Sequence, residues 1–306
     1  MALFRLEAKI FGREKRGRSV IAAAAYRAGT KLVDESREKT FDYTRRERGV
    51  IQTTILAPDG APAWVFDSGQ LWNAAERSEK RVDAQLAREI ILAVPPELSA
   101  DEQFKLAADW AKKELVGSGM VAEVSLHHPP SGTNPHVHIL CPLRKIDGEK
   151  FSAKKPREWN DKALLIKQRE SWCMAVNEAL EKAGRSERVD HRTLKEQGIE
   201  REPQPKIGVA ATAMKRKGTL LDPERFQLVR KIKMANEAMP FFKNIRQRGE
   251  VKQIKQHGVG GTWWEQSITF AASVKAQAEK MVKDTWHMLA ALRIHSRPKE
   301  PPTMER

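Results

Sequence analysis

The sequence predicts an α+β domain, a largely antiparallel sheet with flanking helices, followed by a basic helical extension. Three observations predict it. Strand-like and helix-like segments interleave in the order strand, helix, strands, helix, strand, helix, two strands, helix, as expected for helices packed on such a sheet. Two apolar runs, "MVAEVSLH" and "HVHILCPL", are joined by the short loop "HPPSGTNP", and strands connected in this way pair as antiparallel neighbours. Beyond residue 205 the pattern turns helical, and 20 Lys/Arg face only 9 Asp/Glu over 206–306. The division expected is therefore a domain over 1–205 and a basic extension over 206–306.

Residues 2–10, "ALFRLEAKI", set Arg5, Glu7 and Lys9 against Phe4, Leu6, Ala8 and Ile10, the alternation of a half-buried strand. A basic turn, "REKRGR", leads to Ser19, a good helix cap, and "VIAAAAYRAG" follows with Gly29 as its stop. The alanines Ala22 to Ala25 favour helix and allow close approach to a sheet. "TFDYTRRERGVIQTTILAP" reads as a hairpin or loop leading into a strand, with "GVIQTTIL" the better strand. "DSGQLWNAAERSE" reads as a helix and "AREIILAVP" as a strand stopped by Pro95 and Pro96. The next helix, in "LSADEQFKLAADWAKKELV", has Ser99 as cap, acids in its first turn and lysines at its end, matching the helix dipole. A last helix is expected over about 158–183, with Trp159, Leu164, Leu165, Trp172, Val176 and Leu180 near helical spacing. In the extension, Pro240 and "GVGG" interrupt helical pattern, and residues 264–292 form a long amphipathic stretch that needs a partner surface.

The net charge of +15 points to a polyanionic partner. Only two cysteines occur, Cys141 and Cys173, outside any CxxC pair, which fits a reducing cytoplasm rather than a disulfide framework. No apolar run is long enough to span a bilayer, and the charged N-terminus does not read as a signal peptide. No membrane insertion is therefore expected.

Four of the eight histidines fall within residues 127–138. Residues two apart on a strand share a face, so His136 and His138 project together. The preceding strand ends at His127, and the loop brings that end back beside them. Three converging imidazoles are a ligand set for a divalent metal with positions left open for substrate. His128 competes with His127 as the third ligand; His127 continues its strand directly and is preferred. Tyr26 and Tyr43 are the only tyrosines. Tyr26 ends the alanine-rich helix between Arg18 and Arg27, a position suited either to meeting a DNA phosphate or to anchoring the helix on the sheet. Arg13, Lys15, Arg16 and Arg18 form a basic cluster before that helix, with Arg27 after it, and such groups hold phosphates. Trp64 and Trp72 are candidates for stacking on unpaired bases, or for core.

"RSVIAAAAYRAG", "AREIILAVPPELS", "NPHVHIL", "WNDKALLIKQRESWCMAVNEALEKAG" and "RVDHRTLKEQGI" occur here in the order found in MobA/MobL-type mobilisation relaxases. The chain resembles that family over roughly residues 1–218, and with it the wider group of HUH endonucleases, of which "HVH" is the hallmark pair. The resemblance implies a metal-dependent, strand-specific DNA nicking enzyme of the bacterial cytoplasm that initiates conjugative plasmid mobilisation. It implies Tyr26 as the nucleophile, yielding a 5′-phosphotyrosine bond and a free 3′-hydroxyl, and His127, His136 and His138 as ligands of Mg²⁺ or Mn²⁺. Glu89 falls where the family carries an acid, although Ile91 stands where a second acid is common and Lys206 where a histidine is frequent. Implied partners are single-stranded and hairpin DNA at a transfer origin, accessory mobilisation proteins and a coupling protein. Rival readings are a rolling-circle replication initiator using Tyr43 as a second nucleophile, a DNA-binding regulator without catalysis, and a hydrolase unrelated to DNA.

Overall fold

The computed structural model describes residues 3–13, 19–129 and 134–199, with isolated positions between 201 and 236. Lys15, Arg16, Arg18, the basic Lys215–Lys217 stretch and the amphipathic segment 264–292 lie outside the described residues. The chain divides into two compact units, Met1–His191 and Arg192–Arg306, and the elements that follow belong to the first. Among the described residues, no helix is long and apolar enough to cross a membrane.

Five strands form the main sheet: β1 (Leu6–Gly12), β4 (Val50–Leu56), β5 (Gln85–Ala93), β6 (Ala122–His127) and β7 (His136–Pro142). Their spatial order is β1-β5-β7-β6-β4, and every neighbouring pair is antiparallel. The expected pairing of the two apolar runs is present, with β7 central between β6 and β5. Two two-stranded hairpins stand apart, β2 (Lys31–Asp34) with β3 (Lys39–Asp42), and β8 (Ile146–Asp147) with β9 (Lys150–Phe151). The sequence reading missed β2 and β8–β9, whose four- and two-residue strands are too short for any periodicity to show.

Strand alternation divides the sheet into two unlike faces. One carries Ile90, Leu92, Val124, Leu126, Val137 and Ile139, all fully buried. It packs against α3 (Ala100–Glu114) and α4 (Lys162–Lys182) through Phe104, Trp110, Trp172, Val176 and Leu180. Trp159, expected inside the last helix, instead sits in a separate 3₁₀ turn, Arg157–Asn160, and still reaches this core. Ser99 and Glu102 close a complete capping box at the start of α3, which satisfies backbone donors that would otherwise point into solvent or core.

The opposite face is mixed. Its apolar part, including Leu140, packs against Ile21 and Ala24 of α1 (Val20–Ala28) and Leu71 and Trp72 of α2 (Ser68–Arg77). Its polar part holds the histidines. Alanines at positions 24 and 25, fully buried, let the backbone of α1 lie almost on the strands. Ser19 accepts from the Ala22 amide and donates to Asp34 Oδ2 at 2.5 Å. Asp34 has no exposure at all. Burial pushes its pKa up, but hydrogen bonds from Ser19, Ser36 and Arg37 more than offset this and hold it low. The start of α1 is thus fixed to the β2–β3 hairpin, and Gly29, with a φ of 66°, ends the helix in the left-handed conformation open to glycine.

Candidate metal centre

The register of β6 with β7 sets His127 directly opposite His136 and Ser125 opposite His138. Opposed residues in an antiparallel pair share a face, so the three imidazoles meet. One ring nitrogen of each lies within 4.8 Å of those of the other two, and the ring centroids are 4.8 to 5.5 Å apart. His128 goes elsewhere: its Nε2 pairs with Gln103 Oε1 of α3 at 2.7 Å. Of the two histidines that competed for third position, His127 is the one beside the pair.

Each ring is held by an acceptor on its far nitrogen. His138 Nδ1 donates to Glu89 Oε1 at 2.7 Å, His136 Nδ1 to the Asn134 carbonyl at 2.9 Å, and His127 Nε2 to the Arg27 carbonyl at 2.6 Å. A carboxylate or carbonyl oxygen has no proton to give, so the nitrogen facing it carries the hydrogen. The lone pairs then remain on His127 Nδ1, His136 Nε2 and His138 Nε2. An imidazole whose other nitrogen is tied to an oxygen is the usual form of a metal-bound histidine. Burial, helped by the neighbouring imidazoles, pushes His127 down to about 4, and burial also lowers His136. Both are neutral at pH 7, as a cation's ligands must be. The donor set fits a divalent metal ion with coordination positions to spare.

Glu89 on β5 is buried beneath this cluster. Burial pushes its carboxyl up, but hydrogen bonds from His138 and from Arg27 Nε, with the charges behind them, bring it down to about 2. So acidic a group is a poor proton acceptor near neutrality. What it does is orient His138 and bind Arg27. Replacing Glu89 with Ala is expected to weaken metal binding 10- to 100-fold, in line with other outer partners of ligating histidines, with Glu89→Gln intermediate. Titration calorimetry with Mn²⁺ checks this; unchanged affinity in both variants would remove Glu89 from the site.

Tyr26 is on the last turn of α1, 38% exposed, with its ring edge-on to Tyr43 at 5.4 Å. Its neighbour Arg27 touches the cluster twice, through its carbonyl to His127 and its guanidinium to Glu89. The backbone carrying the phenol is therefore seated at the histidines. Arg13 directs its guanidinium at Glu76 and at the carbonyls of Glu76, Glu79 and Arg81. Its donors are taken up in joining β1 to the end of α2. Trp72 is fully buried and donates to Glu123, so it is core, not a stacking platform. Trp64 is half-buried, edge-on to Phe151, and donates to the Glu149 carbonyl. Sequence reasoning missed Asn134, whose φ of 62° turns its carbonyl onto His136; an asparagine before Pro135 was the one available hint.

A model of the MobA/MobL family matches residues 18–217. The chain is 32% identical over 262 residues to the conjugal transfer protein TraA of Agrobacterium fabrum, covering 74% of this chain and 24% of that protein. It is 33% identical over 249 residues to the mobilization protein MobL of Acidithiobacillus ferridurans, covering 71% of this chain and 65% of that one. The chain thus spans about a quarter of TraA and just under two thirds of MobL. Among solved structures, one from work on the molecular basis of vancomycin resistance transfer in Staphylococcus aureus aligns with a TM-score of 0.58 at 29% identity, over 63% of this chain and 100% of that chain. Since the matched region covers about two thirds of the chain, from the cap of α1 through every strand of the main sheet but β1, the chain belongs to the MobA/MobL family.

Proposed function

We propose that the chain is a relaxase that nicks one DNA strand at a plasmid transfer origin and later rejoins it. The observation that carries this reading is the hydrogen bond from His127 to the Arg27 carbonyl, which fixes the residue next to Tyr26 onto the three-histidine cluster. The Tyr26 oxygen attacks phosphorus, the bond from phosphorus to the 3′-oxygen breaks, and the tyrosine proton leaves with that oxygen as a 3′-hydroxyl. The product is a 5′-phosphotyrosine ester. Because the ester keeps the energy of the phosphodiester, the 3′-hydroxyl reverses the step without a nucleotide cofactor.

A phenol has a pKa near ~10 and is mostly protonated at neutral pH. An ion held by His127, His136 and His138, Mg²⁺ or Mn²⁺, would supply Lewis-acid stabilisation of the charge that grows on the phosphate. Glu89 keeps His138 oriented. Arg27 sets the helix end and adds positive charge beside the scissile group. Lys15, Arg16 and Arg18 are the proposed phosphate contacts ahead of the helix. Residues 1–205 are assigned the nicking role, and 206–306 contacts with flanking DNA, accessory mobilisation proteins or a coupling protein.

The test is incubation with a labelled single strand from the transfer origin of the encoding replicon, with and without Mg²⁺ or Mn²⁺. A metal-dependent, protease-sensitive covalent adduct is expected. Cleaved strand without adduct would mean a hydrolase, and binding without cleavage a regulator; either outcome rejects the relaxase reading. A second reading draws on the Tyr26–Tyr43 ring contact: a rolling-circle initiator using both tyrosines, which requires adduct at Tyr43 as well.

A further inference from the structure

On the same sheet face as the histidines, a cleft of about 350 Å³ is lined by Ala28, Thr30, Thr53, Phe66, Ser68 and Glu123 together with neighbouring strand residues. Thr30 Oγ1, Ser68 Oγ and Glu123 Oε1 are buried there without a well-formed hydrogen bond, Ser68 lying close enough to Glu123 to act on its carboxyl. Buried polar groups left incompletely bonded are destabilising, so their gathering around one opening points to a ligand that completes them. Glu123 is 3% exposed. Its other oxygen, Oε2, accepts from the Trp72 indole N–H at 2.5 Å. Burial raises the Glu123 pKa against the opposing pull of Trp72, Ser68 and Arg27. With Oε2 occupied as the acceptor for Trp72, Oε1 is the carboxyl atom left for a ligand in the cleft. The hydroxyls of Thr30 and Ser68 donate or accept as required.

The lining suits one ligand class. It includes no lysine or arginine, so a phosphate finds no counter-charge, and its single carboxyl, that of Glu123, is a sparse ligand set for a cation. Phe66, 53% exposed, offers an aromatic face at the rim. A flat, uncharged ring with donors and acceptors along its edge satisfies all of these groups. The cleft also adjoins the site already described: Ala28 and Thr30 follow Arg27, and Thr53 Oγ1 shares a 2.6 Å hydrogen bond with Ser125, whose register partner is His138. We propose that this cleft is a base pocket that receives one unpaired nucleobase of the strand beside the scissile phosphate, read by Glu123, Ser68 and Thr30 and stacked on Phe66. This rests on the nicking function.

The experiment uses the full chain and the same transfer-origin single strand, with a set of versions each carrying one abasic nucleotide, measured by fluorescence anisotropy. For the wild type, one position near the nick is expected to weaken binding about tenfold when its base is removed, the scale of a single stacked base. Glu123→Ala and Phe66→Ala are expected to abolish that position's penalty. Glu123→Gln should retain it, because the amide can accept from Trp72 and donate into the cleft. An abasic profile unchanged from wild type in both alanine variants overturns the pocket, as does Glu123→Gln behaving like Glu123→Ala. Should Glu123→Ala lose its cooperative melting transition, the exposed Phe66→Ala variant decides alone. A wild type that neither binds nor nicks the strand rejects the nicking function itself, whereas normal nicking with an unmoved profile rejects only the pocket.

Discussion

Tyr26→Phe is expected to abolish the covalent protein–DNA adduct and to lower strand cleavage about 10⁴-fold or more, while leaving affinity for the uncleaved strand within about twofold. The substitution removes one oxygen and little else. Phenylalanine keeps the edge-on contact with Tyr43, and the buried side of α1, carried by Val20, Ile21, Ala24 and Ala25, is untouched. The cap through Ser19 and the carbonyl bond from Arg27 to His127 also remain. A loss of cleavage therefore reports chemistry and not folding, which a thermal melt of the variant checks. Adduct that persists in Tyr26→Phe, or that peptide mapping finds on Tyr43, would mean that the nucleophile is a different residue.

The parts of the site that the sequence makes legible are those encoded by short-range pattern. H-x-H puts two rings on one face by strand geometry alone, and the eight residues after His127, with three prolines and a glycine among them, bring the third ring alongside. The caps at Ser19 and Ser99 were likewise readable, because a cap is a contact between residues three apart. Contacts across long sequence separation were not. Arg27 meets Glu89 across 62 residues and Trp72 meets Glu123 across 51, and neither partner carries a local signature of the other. Arg13 illustrates the same limit: in a run of basic residues nothing distinguishes the guanidinium that turns inward to Glu76. Trp72 is the converse case, since an aromatic residue in an amphipathic helix looks alike whether it faces the sheet or a nucleobase, and only the position of α2 over β6 decides.

His136→Ala should reduce cleavage by about 10²- to 10³-fold, the scale of losing a group that stabilises transition-state charge, yet change oligonucleotide affinity by less than about threefold. The separation follows from where His136 points. Its Nδ1 is bound to the loop carbonyl of Asn134 and its other nitrogen faces His127 and His138, so its removal subtracts one of three ligands without taking away a cationic contact to phosphates. His138→Ala carries a further cost, because it also strips Glu89 of one of its two hydrogen-bond donors, leaving the Arg27 pair to hold a buried carboxylate alone. For that reason His136 is the cleaner probe. Excess Mn²⁺ should restore part of the His136→Ala activity by mass action on a two-ligand site, and nothing comparable is expected for Tyr26→Phe. His128→Ala supplies the control: its ring is paired with Gln103 on α3, so cleavage should stay within about twofold of wild type. Equal losses of binding and cleavage in His136→Ala would place the imidazole in DNA contact instead of metal coordination, and the lone pairs left by the Asn134, Arg27 and Glu89 hydrogen bonds would then have no ion to serve.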